Sequence, residues 1–236
     1  MAEEENEKEI DFNSSMTDLM TSLMIMFILL LVVLFNHIGE KGKQNRDVMA
    51  AELRDEILNN ESTNSMKNLK IVADEKDPLS FIVNIDEASG LKFDSNDAKL
   101  QKQSKEKLDA TYKTMVNYIC KAENKKNIDS IQIIGYTDKN PVKADPKFGN
   151  LSLSQDRALT VLKEGLYLFG MNSNEGKCLR ELASINGRGM EDLKNSDAES
   201  RRVEIKIRIK SAEQQNLVLS KNKSGLDNLL GGYNAK

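Results

Sequence analysis

The order of apolar and polar positions divides the chain into stretches of different period. Residues 1–15 are polar and acidic and predict a solvated tail. Residues 16–35 are almost unbroken apolar, running from Met16 through Leu19, Met20, Leu23 and Ile25 to Phe35, with Asp18 the one ionisable group. About 20 such residues form a helix of roughly 30 Å, the thickness of a hydrocarbon core. Residues 16–36 are therefore expected to be a transmembrane helix. Residues 37–78 read as a connector. Within it Met49, Leu53 and Ile57 recur at i, i+4 and i+8 among Glu52, Arg54, Asp55 and Glu56, which predicts a short helix with one apolar edge. That helix is expected either to be a solvated linker, self-paired in a dimer, or to act as a plug that lies on the membrane until the complex is activated. The Asn-rich stretch 59–68 predicts a break.

A compact domain is expected over 79–210. Residues 79–85 predict a strand crowded enough with apolar side chains to be buried on both faces. Residues 98–121 predict an amphipathic helix, and 128–136 a second strand. Residues 153–169 predict a second helix with Ser152 or Ser154 near its start, and 182–186 a third strand. Over 201–209 the alternation is strict. Val203, Ile205, Ile207 and Ile209 share one side, opposite Glu204, Lys206 and Arg208, as in a half-buried strand. The order β-α-β-α-β-β predicts an α/β fold with helices on one face of a mixed sheet. Residues 211–236 are polar, with Gly231 and Gly232, and read as a tail.

Composition narrows the function. The chain has 236 residues, 30% charged, with a net charge of −3, so no basic bias points to direct nucleic-acid binding. Aromatics are 5% and Trp is absent, which argues against sugar-stacking platforms. One histidine and two cysteines make a zinc site an unfavoured expectation. The chain shows no Ser-His-Asp set and no phosphate loop, so it is not expected to be an enzyme and no cofactor is expected. The apolar run does not read as a cleaved signal peptide. Glu3, Glu4, Glu5, Glu7, Glu9 and Asp11 precede it where basic residues belong, and no small-x-small site follows.

Asp18 is costly in such a span, about 2.5–3.5 kcal/mol at the centre and less towards an end. Thr21 and Ser22 stand at i+3 and i+4 from it, with Ser14 and Thr17 on its other side, making a small polar face. A bland alternative is an interfacial Asp acting as an N-cap, but Ser14 and Ser15 already precede it as cap residues. The polar face is read as packed against a partner's helices, with Asp18 loading and releasing an ion, a proton or alternatively sodium. One helix cannot enclose an ion pathway, so a partner is required.

Several motifs stand in order through the domain. Gly135-Tyr136-Thr137-Asp138 ends a strand. Asn150-Leu151-Ser152-Leu153-Ser154-Gln155-Asp156-Arg157-Ala158 opens a helix. Arg201-Arg202-Val203 opens the last strand, and Phe93-Asp94-Ser95 precedes the first helix. In these residues the domain resembles the OmpA-like peptidoglycan-binding domain, over about 130 residues. It departs from that pattern at Ser200, where the family has Asn, and in the loop carrying Pro141 and Pro146, which is longer than usual. Asp18-Leu19-Met20-Thr21-Ser22-Leu23-Met24 resembles the single helix of MotB-type stator subunits. The acidic tail, and Ser14-Ser15-Met16-Thr17 in place of aromatics, make the chain look more like the ZorB-type stator subunits of Zorya anti-phage defence systems than flagellar ones. A flagellar stator subunit and a passive OmpA-like envelope tether are the alternatives.

The resemblance implies a ring of five polytopic MotA-like or ZorA-like subunits around a homodimer of this chain, which is moored to peptidoglycan. It implies that Asp138 receives the ammonium of diaminopimelate, that Arg157 grips its carboxylate, and that Asn150 and Arg201 also bind. A wall-binding domain belongs in the periplasm, so the N-terminus is expected to be cytoplasmic in a single-pass inner-membrane protein, against the positive-inside weight of Lys41, Lys43 and Arg46. In an oxidising periplasm Cys120 and Cys178, both near helix ends at one end of the sheet, are expected either to form a disulfide or to remain free thiols.

Overall fold

A computed structural model describes residues 2–59, 69–87, 89–94, 96–211 and 213–215. The expected break at 60–68, the residue Ser95 and most of the expected tail lie outside the described residues. So do the side chains of residues 2–15, Ser14 and Ser15 included. The elements in chain order are α1 (Ala2–Asn59), β1 (Lys70–Ala73), β2 (Ser80–Asp86), α2 (Lys102–Cys120), α3 (Ala122–Lys125) and β3 (Ile128–Gly135). They continue with α4 (Gly149–Phe169), α5 (Asn174–Leu182), β4 (Ala183–Gly187), α6 (Asp197–Ser200) and β5 (Arg202–Ile209). Two compact units divide the chain, Met1–Lys41 and Gly42–Lys236.

The first unit is helical from Ala2, so the acidic stretch expected as a tail has helical backbone. Its apolar side chains are exposed on every side, Leu19, Met20, Leu23, Phe27, Leu29 and Phe35 among them. A helix that is apolar all round needs a core or a bilayer to cover it. Here the helix is long and apolar enough to be a candidate membrane span, with a mean hydropathy of 2.6 in its most apolar stretch.

The second unit is built on a five-stranded mixed sheet in the order β1-β2-β5-β3-β4. Only β3 and β4 run parallel, and the other neighbours are antiparallel. The alternation in β5 puts Val203, Ile205, Ile207 and Ile209 on one face, level with Phe81, Val83 and Ile85 of β2 and Ile131 and Ile133 of β3. Leu108, Tyr112, Met115 and Ile119 of α2 and Ala158 and Val161 of α4 complete the same core. The opposite face is polar, with Lys206 and Arg208 paired to Asp74, Asp77 and Asp129. On β2, Ile82 and Asn84 are only half-buried, so the expected burial of both faces holds for one.

The connector helix packs on the domain. Met49, Leu53 and Ile57, in the part of α1 within the second unit, are buried in the domain core. Glu52 accepts a hydrogen bond from the Tyr118 hydroxyl at 2.6 Å, and Glu56 pairs with Lys121 at 3.2 Å. The apolar edge is buried in the domain core, and Arg54 beside it donates to the Ile71 carbonyl of β1.

The first domain helix starts at Lys102 rather than near 98, because Phe93 and Leu100 pair as an antiparallel bridge and the chain turns between them through Asn96 at φ 53°. The second starts at Gly149 rather than 153. Asp145 Oδ1 accepts the Lys147 and Phe148 N–H groups, and its carbonyl accepts Gly149 N–H, so a turn closed on Asp145 leads into the helix and Ser152 and Ser154 fall inside it. The short elements β1, α3, α5 and α6 had not been expected. Cys120, the last residue of α2, is bonded to Cys178 in α5, with Cα atoms 6.0 Å apart.

Candidate functional site

Strand order brings separate motifs to one edge of the sheet. β2 ends at Asp86 where β5 begins, Asp86 lying opposite Arg202, and β3 ends at Gly135 opposite Val203. Glu87, Arg201 and Asp138 therefore emerge side by side from neighbouring strands. Beyond β3 the backbone stays pinned, since Tyr136 N–H donates to Arg202 O at 2.9 Å and Thr137 N–H to Gly189 O at 2.8 Å. Helix α4 crosses closely here. A Cβ on Gly135 would stand 1.9 Å from the Ser154 carbonyl oxygen, so only glycine lets strand and helix approach this far.

An open cavity of about 410 Å³ lies at this edge. Asp138, Asn150, Arg157 and Arg201 all line it, together with Glu87, Phe93, Asp94, Thr137 and Asn140. Arg201 bridges two acids, its Nη1 to Asp138 Oδ2 and its Nη2 to Glu87 Oε2, each at 2.6 Å. The hydrogen bond to Glu87 holds the Arg201 guanidinium above its usual range; partial burial opposes this, and the bond to Asp138 reinforces it. The other Asp138 oxygen accepts the Asn140 N–H at 2.9 Å. Asn150 spends its amide nitrogen on backbone, donating to Asn140 O at 3.1 Å and Asp138 O at 3.4 Å, so it holds the Asp138 loop in place.

Arg157 is 5% exposed and stacks on Phe93, its guanidinium carbon 4.9 Å from the ring centre. Its Nε donates to Asp97 O at 3.2 Å, and among the described residues its Nη groups meet no acceptor. Burial pulls its pKa below the usual guanidinium value; the Asp138 carboxylate opposes that, and the Arg201 charge adds to it. A guanidinium stays protonated through such a shift. The Thr137 hydroxyl, on a residue 3% exposed, likewise has no partner among the described residues. The cavity thus offers an acid in an ion-pair bridge, an unpaired buried cation and an unpaired hydroxyl.

Residues 92–206 match the OmpA family model. The α/β domain is OmpA-like. No curated protein matches the sequence. Among solved structures, a MotB-like protein from Desulfovibrio vulgaris is similar at TM-score 0.51 and 16% identity, over 73% of this chain and 99% of that one. The periplasmic domain of Helicobacter pylori MotB is similar at TM-score 0.48 and 18% identity, over 71% and 92%. The cell wall anchor of the type VI secretion system from Pseudomonas aeruginosa follows at TM-score 0.40 and 19% identity, over 61% and 90%. The Desulfovibrio structure supports the fold of the OmpA-like domain.

Glu87 and Thr137 of this cavity were not singled out as site residues from sequence. Thr137 lies inside the Gly135–Asp138 motif, but nothing in the sequence tells that its hydroxyl is buried without a partner among the described residues. Glu87 had no signal beyond an acid after a strand, and becomes meaningful only through the β2–β5 register. Arg202, beside Arg201, is not in the cavity. It is 1% exposed, stacked 3.8 Å from the Tyr136 ring centre and paired with Asp192 and Glu204. In the first unit, Asp18 is exposed on the helix surface, and Thr21 Oγ1 donates to Thr17 O at 2.6 Å.

Proposed function

We propose that this chain is the peptidoglycan-anchored subunit of an ion-driven membrane motor, with the OmpA-like domain as the mooring and the apolar helix as the ion-carrying part. The observation that carries the mooring is Arg157, a buried guanidinium without a carboxylate partner among the described residues at the wall of an open cavity. Burial disfavours the Arg157 charge, and Asp138, Glu87 and Asp97 support it without a hydrogen bond to their carboxylates, so its Nη groups stay available to an anionic group from outside. Asp138 stands in the same cavity as a fixed acid. An acid and an unpaired guanidinium together suit a ligand end that carries both ammonium and carboxylate. The diamino residue of a peptidoglycan stem peptide has such an end. Its carboxylate would take the Arg157 Nη groups in a bidentate pair. Its ammonium would approach Asp138, whose orientation Arg201 and Asn140 already fix.

In the apolar helix, Asp18, Thr21 and Ser22 lie on one face by their spacing. We assign Asp18 as the carrier of a proton, or of sodium, against the helices of a polytopic MotA-like or ZorA-like partner arranged as a ring of five around a homodimer. The acidic N-terminal stretch favours the ZorB-like role in Zorya defence over flagellar motility. The expected placement is a single pass through the inner membrane with the domain in the periplasm. Neighbouring genes separate the two motor roles: a helicase or nuclease gene supports defence, and flagellar genes support motility.

The test of the mooring is co-sedimentation of the full chain with purified sacculi. Wild type is expected in the pellet and the double variant Asp138→Ala, Arg157→Ala in the supernatant. Equal pelleting of both would overturn the assignment.

A further inference from the structure

We infer that the loop between Asp138 and α4 is a second contact surface for the wall polymer, one that reads free carboxylates on the stem peptide next to the diamino residue. This rests on the wall-binding reading of the cavity. The loop carries Lys139, Lys143 and Lys147, all exposed. Among the described residues none of them is in an ion pair. Its one acid, Asp145, is occupied at Oδ1 by the Lys147 and Phe148 N–H groups. The chain as a whole is acidic, at −3, so this local excess of positive charge is not a consequence of overall basicity.

The loop is held in shape. Pro141 and Pro146 restrict its backbone. Asn140 is tied to Asp138 through its N–H and to Asn150 through its carbonyl. Val142 seats directly on Gly149, where a Cβ would come within 2.6 Å of the Val142 Cβ. Lys147 Nζ rests 5.2 Å from the Phe148 ring centre. The loop is therefore built rather than a loose tether, and Lys139 stands between two residues that line the cavity.

Position supplies the ligand class. Asp138 and Asn140 line the cavity, and Lys139 stands between them in sequence. A stem peptide that places one residue in the cavity must carry its neighbours out across the mouth. The glutamyl residue preceding the diamino acid bears a free α-carboxylate unless that group is amidated. An ammonium on the rim attracts the acid form and has little hold on the carboxamide. Exposed charges contribute modestly to affinity and more to selection and salt dependence, so the rim discriminates while Arg157 anchors. An anionic lipid surface offers the same charge, but its headgroups have no reason to sit at the mouth of a cavity lined by Arg157 and Thr137.

The test is titration of the purified full chain with two disaccharide tripeptides that differ only at that α-position, free acid or carboxamide. Wild type is expected to prefer the acid by about two- to fivefold, with a preference that shrinks as salt rises. The triple variant K139Q/K143Q/K147Q is expected to bind both at the wild-type affinity for the carboxamide. Arg157→Ala is expected to lose both. A wild type that does not discriminate, or a triple variant that still does, overturns the inference and leaves the cavity reading standing. So does a triple variant that binds both peptides as wild type does and loses only its adhesion to phosphatidylglycerol vesicles. If wild type binds neither peptide, the wall-binding reading itself falls, and the inference with it.

Discussion

Arg157 and Thr137 both line the cavity, and each keeps a polar group without a partner among the described residues. A hydroxyl buried in this way loses its hydration without return, so replacing it by a methyl group of similar shape is neutral or stabilising. If the ligand supplies the missing hydrogen bond, the same replacement weakens binding. Thr137→Val is therefore expected to leave the unfolding midpoint unchanged or raised while lowering affinity for a diaminopimelate-containing tripeptide by about 0.5–1.5 kcal/mol. Paired denaturation and titration curves check this, and unaltered affinity would remove Thr137 from the site. At this scale the sequence was informative where residues sit in motifs. Gly135 to Asp138, Asn150 to Arg157 and Arg201 do converge on one cavity. It was silent on commitments. That Arg201 bridges Glu87 and Asp138 and that Arg202 stacks on Tyr136 depend on cross-strand register, and that Asn150 is spent on loop carbonyls depends on the path of the loop before α4, neither of which side-chain type encodes.

Among the elements, the connector helix shows best what periodicity can and cannot tell. Met49, Leu53 and Ile57 announced an apolar edge, because i, i+4 spacing places them on one face. The spacing does not say what covers that edge, and the cover turns out to be the domain's own core. Leu53 is fully buried, so Leu53→Ala is expected to cost about 2–5 kcal/mol. Urea unfolding of the full chain measures this, with hydrogen exchange expected to rise in β1 and α2. A change below about 0.5 kcal/mol would mean that the helix is not docked in solution. Strands with strict alternation, such as β5, were legible almost to the residue. β1 was not, because Ile71 is its single buried side chain. α5 and α6 were not because they are short and polar, started by Ser173 and Ser196 rather than by an apolar stripe.

The whole molecule joins an exposed apolar helix to a folded OmpA-like domain. The account gives the helix an ion-carrying carboxyl at Asp18 and the domain a grip on the wall. The two halves fail independently. Asp18→Asn removes the titrating group and keeps the size of the side chain, so it is expected to abolish motor-dependent activity in cells while membrane insertion, assembly and sacculus binding persist. A fully active Asp18→Asn strain would reduce the chain to a passive tether. The measurement that bears most directly on the central claim is a crystal structure of the protein with a diaminopimelate-containing stem tripeptide. The account predicts the ligand carboxylate within hydrogen-bond distance of the Arg157 Nη groups and its ammonium beside Asp138. A tripeptide bound elsewhere, with Arg157 untouched, would contradict it.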